Sequence, residues 1–390
     1  MNGRSLGLAF IDKVREIYGT RNAVPLHAPT FSEREEDAVA RAVESTFVSS
    51  IGPDIEVFEQ SIAEVTGAKH VVAVSSGTAA LHVALLTQGV GHRDEVITSP
   101  ITFVATCNAI AYCGADPVFV DIEGETLGMS PSALAEFLTE FGEVRDDGIC
   151  WNKASGRKIR VCLPVHNLGH PARVAEIKTI CDQFKISVVE DAAESLGSLQ
   201  GGKHTGLIGE VGTLSFNGNK IITTGGGGAL ITNASELATE LKHLTTTAKR
   251  AHPWLFHHDR VGFNYRLPNL NAALGVMQIE RLDDFVSKKR RLAQEYSGWF
   301  KGQSQGEFFL EPDRARSNYW LNAIALTDQE ERDDFLKVTN DAGVMTRPMW
   351  TPMHTLPMFK DCLRSNLQNA EEIAATFVNL PSSVVSLDSA

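Results

Sequence analysis

The sequence has six cysteines but no C-x-x-C pair and no Cys/His spacing suited to a metal, so neither a zinc site nor a dithiol redox motif is expected. It has no excess of positive charge. Lys and Arg number 36 against 48 Asp and Glu, a net charge of −12, whereas a nucleic-acid binder needs a basic face to neutralise phosphates. No apolar run reaches about 18 uninterrupted residues, so no membrane span is expected. No G-x-G-x-x-G follows a strand pattern, which argues against an α/β dehydrogenase. No basic helix-turn-helix signals a transcriptional regulator, and no internal repeat or low-complexity linker is visible. Cys107, Cys113, Cys150, Cys162, Cys181 and Cys362 read as buried free thiols, which fits a reducing, cytoplasmic setting.

What is present is ordinary in bulk and informative in pattern. The 390 residues are 43% hydrophobic and 22% charged, enough for a large core and more than one domain. The opening stretch MNGRSLGLAFIDKVREIYG reads as an amphipathic helix rather than a signal peptide. From about residue 70, short apolar runs alternate with helical segments: 70–74, 95–100, 117–122, 158–165, 185–191, 212–216 and 228–232. Near-continuous apolar runs are the mark of strands buried on both faces of a parallel sheet. The polar, turn-rich stretch at about 140–157 suggests an inserted loop or hairpin, and residues 270–300 suggest one long amphipathic helix, straight or kinked. The expected fold is α/β, a mostly parallel mixed sheet between helices over residues 1–270 with the N-terminal helix included, followed by a smaller α+β domain over 271–390.

In open α/β sheets ligands bind at the carboxyl ends of strands. Ser75-Ser76-Gly77-Thr78 follows the run at 70–74 and opens a helix. Free N–H groups and a helix dipole make an anion site there, although an ordinary N-cap has the same appearance. Asp191 ends the run at 185–191. It is either a solvated cap or a carboxylate facing a cationic ring nitrogen, which it would keep protonated. Lys220 stands between the strand at 212–216 and the run Gly225 to Gly228. It reads either as a surface lysine or as an amine that condenses with an aldehyde.

Together, SSGTAALHVAL, PITFVATCNAI, PVHNLGHPA, VVEDAAESLGS, SFNGNK followed by GGGG, and VGFNYRLPNLNAALGVMQIERL resemble the DegT/DnrJ/EryC1/StrS sugar aminotransferases, fold-type-I enzymes that use pyridoxal 5′-phosphate. The resemblance runs from about Val24 to the C-terminal LPSS. It implies that Lys220 binds the cofactor's aldehyde and moves the proton during amino transfer, and that Asp191 pairs with the ring nitrogen. It further implies that Glu194 lies against the ring oxygen, that Ser76, Gly77, Thr78 and Ser215 hold the phosphate, and that Phe103 lies on the ring face. Asn264 would reach the cofactor of a neighbouring subunit in a homodimer with shared sites, and Arg266 would be interfacial or bind substrate. Core, turn or surface roles remain the alternatives for Phe103, His166, Asn264 and Arg347.

Lysine at position 220 favours amino transfer over the family's dehydratases, which carry histidine. Relatives often read G-E-G-G where this chain has Gly226 in place of the acid. That departure, the N-terminal extension and the polar insertion resemble the subgroup acting in legionaminic-acid and bacillosamine-type pathways. The implied substrates are L-glutamate and a nucleotide-linked, UDP-carried 4-keto-6-deoxy-2-acetamido sugar of bacterial surface-glycan (lipopolysaccharide, O-antigen) biosynthesis. Candidate substrate contacts are Ser49, Ser50, Gly52, His166 and Arg347. The alternatives are a 3-aminotransferase on a dTDP-3-keto sugar and a non-catalytic nucleotide-sugar or cofactor-binding regulator. No metal is expected.

Overall fold

A computed structural model describes residues 3–386. The helices are α1 (Gly3–Tyr18), α2 (Glu33–Glu44), α3 (Pro53–Thr66), α4 (Gly77–Thr87), α5 (Ala105–Tyr112), α6 (Pro131–Phe141), α7 (Val174–Gln183), α8 (Ser235–Thr245), α9 (Asn269–Ile279), α10 (Leu282–Lys301), α11 (Gln329–Asp341) and α12 (Gln368–Thr376). The principal sheet is built from β1 (His70–Val74), β2 (Glu95–Thr98), β3 (Asp116–Phe119), β4 (Gly142–Val144), β5 (Cys150–Asn152), β6 (Lys158–Leu163) and β7 (Ser187–Asp191). After the short β8 (Leu199–Gln200) and β9 (Lys203–His204) it is completed by β10 (Val211–Ser215) and β11 (Gly228–Thr232).

Its order is β1-β11-β10-β7-β6-β2-β3. The strands from β10 to β3 are mutually parallel, while β11 runs antiparallel to both β10 and β1. Two antiparallel pairings in succession restore direction, so β1 ends at the same edge as β10, β7 and β2. The N-terminal end of β11, carrying the glycine run, reaches that edge too. This geometry brings every strand-end motif of the sequence to one side.

The polar insertion is a hairpin. β4 pairs with β5, and β5 pairs antiparallel with β6 through Cys150 and Ile159. Helix α4 has no polar face because it lies inside the molecule, with Ala79 through Leu85 all buried. The helix expected over 270–300 is two helices, broken at Glu280 and Arg281, which cap α9 and α10.

A second, antiparallel sheet contains β12 (Glu307–Phe308), β14 (Asn322–Ala325), β15 (Arg347–Pro348) and β16 (Phe377–Leu380), and β13 (Ala315–Arg316) pairs with β8. The core clusters divide the chain differently from a cut at residue 270. Ala272, Ile279, Leu282, Phe285 and Val286 pack with the principal sheet. The N-terminal helix buries Leu6, Phe10 and Val14 against Leu292, Tyr296, Phe300 and Phe335 of the C-terminal part. An amphipathic helix packs wherever its apolar stripe finds a complementary face, and chain order does not fix that choice.

Candidate active site

The carboxyl ends of β1, β2, β7 and β10 surround a cavity of about 310 Å³, within the range of small-molecule sites, about 300–1,000 Å³. Ser76, Gly77, Thr78, Phe103, Asp191, Glu194, Ser215 and Lys220 all line it. These are all the cofactor contacts expected from within one chain.

Lys220 is buried, its Nζ 3.4 Å from Glu194 Oε1 and 3.9 Å from the centre of the Trp320 ring. The Trp320 indole N–H donates to the Asn219 carbonyl at 2.6 Å, tying down the turn that carries Lys220. Glu194 Oε2 accepts the Leu168 N–H at 2.8 Å, which leaves Oε1 facing the lysine. Burial pushes the Glu194 carboxyl up, opposed by the charge of Lys220.

Asp191 is buried at the end of β7. Its Oδ2 accepts the Thr106 hydroxyl at 2.8 Å and its Oδ1 the Ala193 N–H at 3.2 Å. Burial raises its carboxyl above the usual range, with Thr106 as the first opposing contact. The neighbouring Glu190 points to the other side of the strand and accepts four hydrogen bonds, from His166 Nε2 (3.0 Å) and the N–H groups of Gly206 (2.8 Å), Ile208 (2.6 Å) and Gly209 (2.7 Å). Burial pushes Glu190 up, but these donors outweigh it and hold the carboxyl below its ordinary value.

The anion end of the cavity is the start of α4. Ser76 caps the helix by accepting the Ala79 N–H at 3.1 Å, and first-turn N–H groups such as those of Gly77 and Thr78 lack intrahelical partners. A Cβ on Gly77 would stand 2.9 Å from Ser215 Cβ, and one on Gly228 would stand 2.6 Å from the Ser76 carbonyl carbon. Only glycine permits this closeness. A Cβ on Gly226 would meet nothing within 4 Å, so this position is sterically free and opens on the cavity.

An amine, a buried carboxylate and an anion cradle around one cavity match the three handles of pyridoxal 5′-phosphate: aldehyde, ring nitrogen and phosphate. The donor set therefore fits that cofactor.

The other expected contacts lie elsewhere. His166 is fully buried and does not line the cavity; its Nε2 faces Glu190 and its Nδ1 accepts the Ala172 N–H at 3.0 Å. Both ring nitrogens are engaged, so the expectation that it touches substrate is corrected to a scaffold role behind Asp191. Arg347 is exposed and turned to Asn340 Oδ1 (2.9 Å) and the Thr346 carbonyl (2.8 Å), so its expected pairing with a pyrophosphate has no support in this chain. From the same loop Trp350 lines the cavity instead, edge-on to Phe103 at 5.6 Å.

Ser49, Ser50 and Gly52 form the turn before α3, away from the cavity lining, braced by Asn269, whose N–H donates to the Ser49 carbonyl at 2.6 Å and whose Oδ1 accepts the Asp54 N–H at 2.9 Å. Asn264 is exposed, and its Oδ1 accepts from Arg266 at 3.0 and 3.2 Å. Thr102, Thr106, Asn217, Asn219, Trp320 and Trp350 line the cavity without having been singled out in the sequence. Thr102 and Thr106 stand four apart around Phe103, a helical spacing that could have flagged them. The two tryptophans arrive from over a hundred residues away with no local signal.

Among the described residues no helix is long and apolar enough to cross a membrane, and no cluster of His, Cys, Asp and Glu suits a metal ion. Residues 29–388 match the DegT/DnrJ/EryC1/StrS aminotransferase family. The chain is 35% identical over 359 residues to the GDP-perosamine synthase of Escherichia coli O157:H7, covering 92% of this chain and 93% of that protein. Among solved structures it is similar to the aminotransferase TlmJ from Streptoalloteichus hindustanus, with a TM-score of 0.82 and 29% identity over 92% of this chain and 93% of that one. DesV of S. venezuelae aligns with a TM-score of 0.80 and 27% identity over 93% of both chains.

Proposed function

The chain belongs to the DegT/DnrJ/EryC1/StrS aminotransferase family and is a pyridoxal-phosphate-dependent sugar aminotransferase, and from that premise we propose that it moves an amino group from L-glutamate to C4 of a nucleotide-linked 4-keto-6-deoxy sugar. The observation that carries this reading is the convergence of Lys220, Asp191, Glu194 and the α4 cradle on one cavity. Bound there, the cofactor supplies an aldehyde to carry the amine and a ring to take up electrons. Asp191 would face the ring nitrogen and favour its protonated form. Lys220, held by Trp320 and facing Glu194, takes the proton from the donor's α-carbon and later delivers one to the acceptor's C4. Ser76, Gly77, Thr78 and Ser215 would hold the phosphate, and Phe103 would cover the ring face.

For the acceptor we favour a UDP-linked 2-acetamido sugar, on the four-glycine run with its uncharged Gly226, the N-terminal helix and the β4–β5 hairpin. The E. coli relative, named for a GDP-linked product, supports GDP as a second reading. Holoenzyme incubated with L-glutamate and UDP-, GDP- or dTDP-linked 4-keto sugars is expected to give a 4-amino product by NMR, fastest with the UDP compound. Preference for GDP would overturn the nucleotide assignment. A 3-amino product, or none from any acceptor, would overturn the reaction.

The active unit in this reading is a homodimer in which Asn264 of each subunit reaches the other's cofactor. The exposure of Asn264 and of the nearby apolar Trp254, Leu255, Phe256 and Val261 supports it. Mixed dimers of inactive Lys220→Ala and Asn264→Ala chains are expected to recover part of the activity. Confirmed mixed dimers that stay inactive would show that each site is complete within its own chain.

A further inference from the structure

Thr102, in the segment after β2, and Thr106, in the first turn of α5, are two buried threonines that the amino-transfer chemistry above does not use. Thr106 Oγ1 lies 2.8 Å from Asp191 Oδ2, and 2.7 Å from Thr102 Oγ1. An ionised carboxylate only accepts hydrogen bonds, so the one hydroxyl hydrogen of Thr106 is committed to Asp191. Thr106 must then accept from Thr102, which fixes the direction of the second bond. The other acceptor within reach of Thr102, the Phe103 carbonyl, is farther at 3.3 Å. Both threonines are 1% exposed, so bulk solvent has little access to these bonds.

We propose that Thr102 and Thr106 are positioning residues: a directed hydroxyl chain that keeps Asp191 ionised and oriented toward the cofactor's ring nitrogen, and sets it in register with Phe103 on the ring face. The register follows from connectivity. Phe103 lies between the two threonines, and its carbonyl accepts the Thr106 N–H at 3.2 Å. The turn that presents the stacking aromatic is thus the turn that donates to the carboxylate. Hydrogen-bond chains of this kind polarise one another in a dry interior, and supporting contacts of this sort orient the groups that do the chemistry.

Lys220, Glu194, His166 and Cys107 are ionisable groups that also interact with Asp191. Burial raises the Asp191 carboxyl and the Thr106 hydroxyl opposes that rise. Removing the hydroxyl raises it further, so Asp191 loses its charge at a higher pH and the acid limb of activity moves upward.

This inference rests on the cofactor and not on the sugar acceptor, so it can be tested without any nucleotide sugar. Thr106→Val, Thr106→Ser and Thr102→Val holoenzymes would be compared for pyridoxal-phosphate affinity, and for the pH dependence of the glutamate half-reaction and of the visible absorbance. Thr106→Val is expected to bind the cofactor about tenfold more weakly, with the acid limb about one pH unit higher. Thr102→Val should move both in the same direction by less, and Thr106→Ser should match the parent. In an Asp191→Asn background the Thr106→Val effect should disappear. Parent-like affinity and an unshifted limb in Thr106→Val would overturn the proposal. So would a serine variant as impaired as the valine variant, or a Thr106→Val effect undiminished in the Asp191→Asn background.

Discussion

Replacing Lys220 with alanine is expected to lower turnover by more than about 10³-fold, the upper range of what a positioned proton-transfer group contributes, and to abolish the visible absorbance of lysine-bound cofactor. Among the described residues the lysine is the only amine lining the cavity, so no described neighbour can replace it. The fold should survive, because the Asn219–Trp320 hydrogen bond and the surrounding turn do not depend on the lysine side chain. Glu194, already raised by burial, loses its opposing charge and should become neutral over a wider pH range. Cofactor should therefore still enter, held by the phosphate cradle, and should be removable by dialysis. A yellow, turning-over Lys220→Ala enzyme would end the reading of this site.

Asp191→Ala should cost about 10²–10⁴-fold in kcat, with a smaller change in the KM for glutamate. The physical reason is electronic. Without the carboxylate the ring nitrogen loses its proton near neutral pH and the ring withdraws electrons poorly. The isosteric Asp191→Asn should fall nearly as far, because an amide occupies the same volume without the charge. Single-turnover rates with glutamate alone would measure this step apart from sugar binding. A loss of less than threefold in both variants would place the ring nitrogen's partner elsewhere.

Much of this centre was legible in the sequence, for a local reason. Strands β1, β7 and β10 announce themselves as apolar runs, and the residues just past each run, Gly77 and Thr78, Asp191 and Glu194, Ser215 and Lys220, lie at the sheet edge where ligands bind. Boundaries were less exact. The strand read as 185–191 begins at Ser187, and the helix read across 270–300, straight or kinked, divides at Glu280–Arg281, where no proline or glycine marks the place. The candidate substrate contacts lie apart from the cavity lining: His166 is enclosed against Glu190 and Arg347 faces Asn340.

Sequence by itself determined which strand-end residues line the cavity and the edge of the sheet on which they stand, because strand periodicity and the residues that end a strand are encoded within a few neighbours. Only the tertiary structure decided what closes over them: Trp320 above the lysine, Trp350 against Phe103, the threonine chain behind Asp191, and the N-terminal helix packed on the C-terminal part. Those choices follow from the packing of segments far apart in the chain. The direction a side chain takes there is set by the volume and partners that its neighbours leave, which no local pattern records.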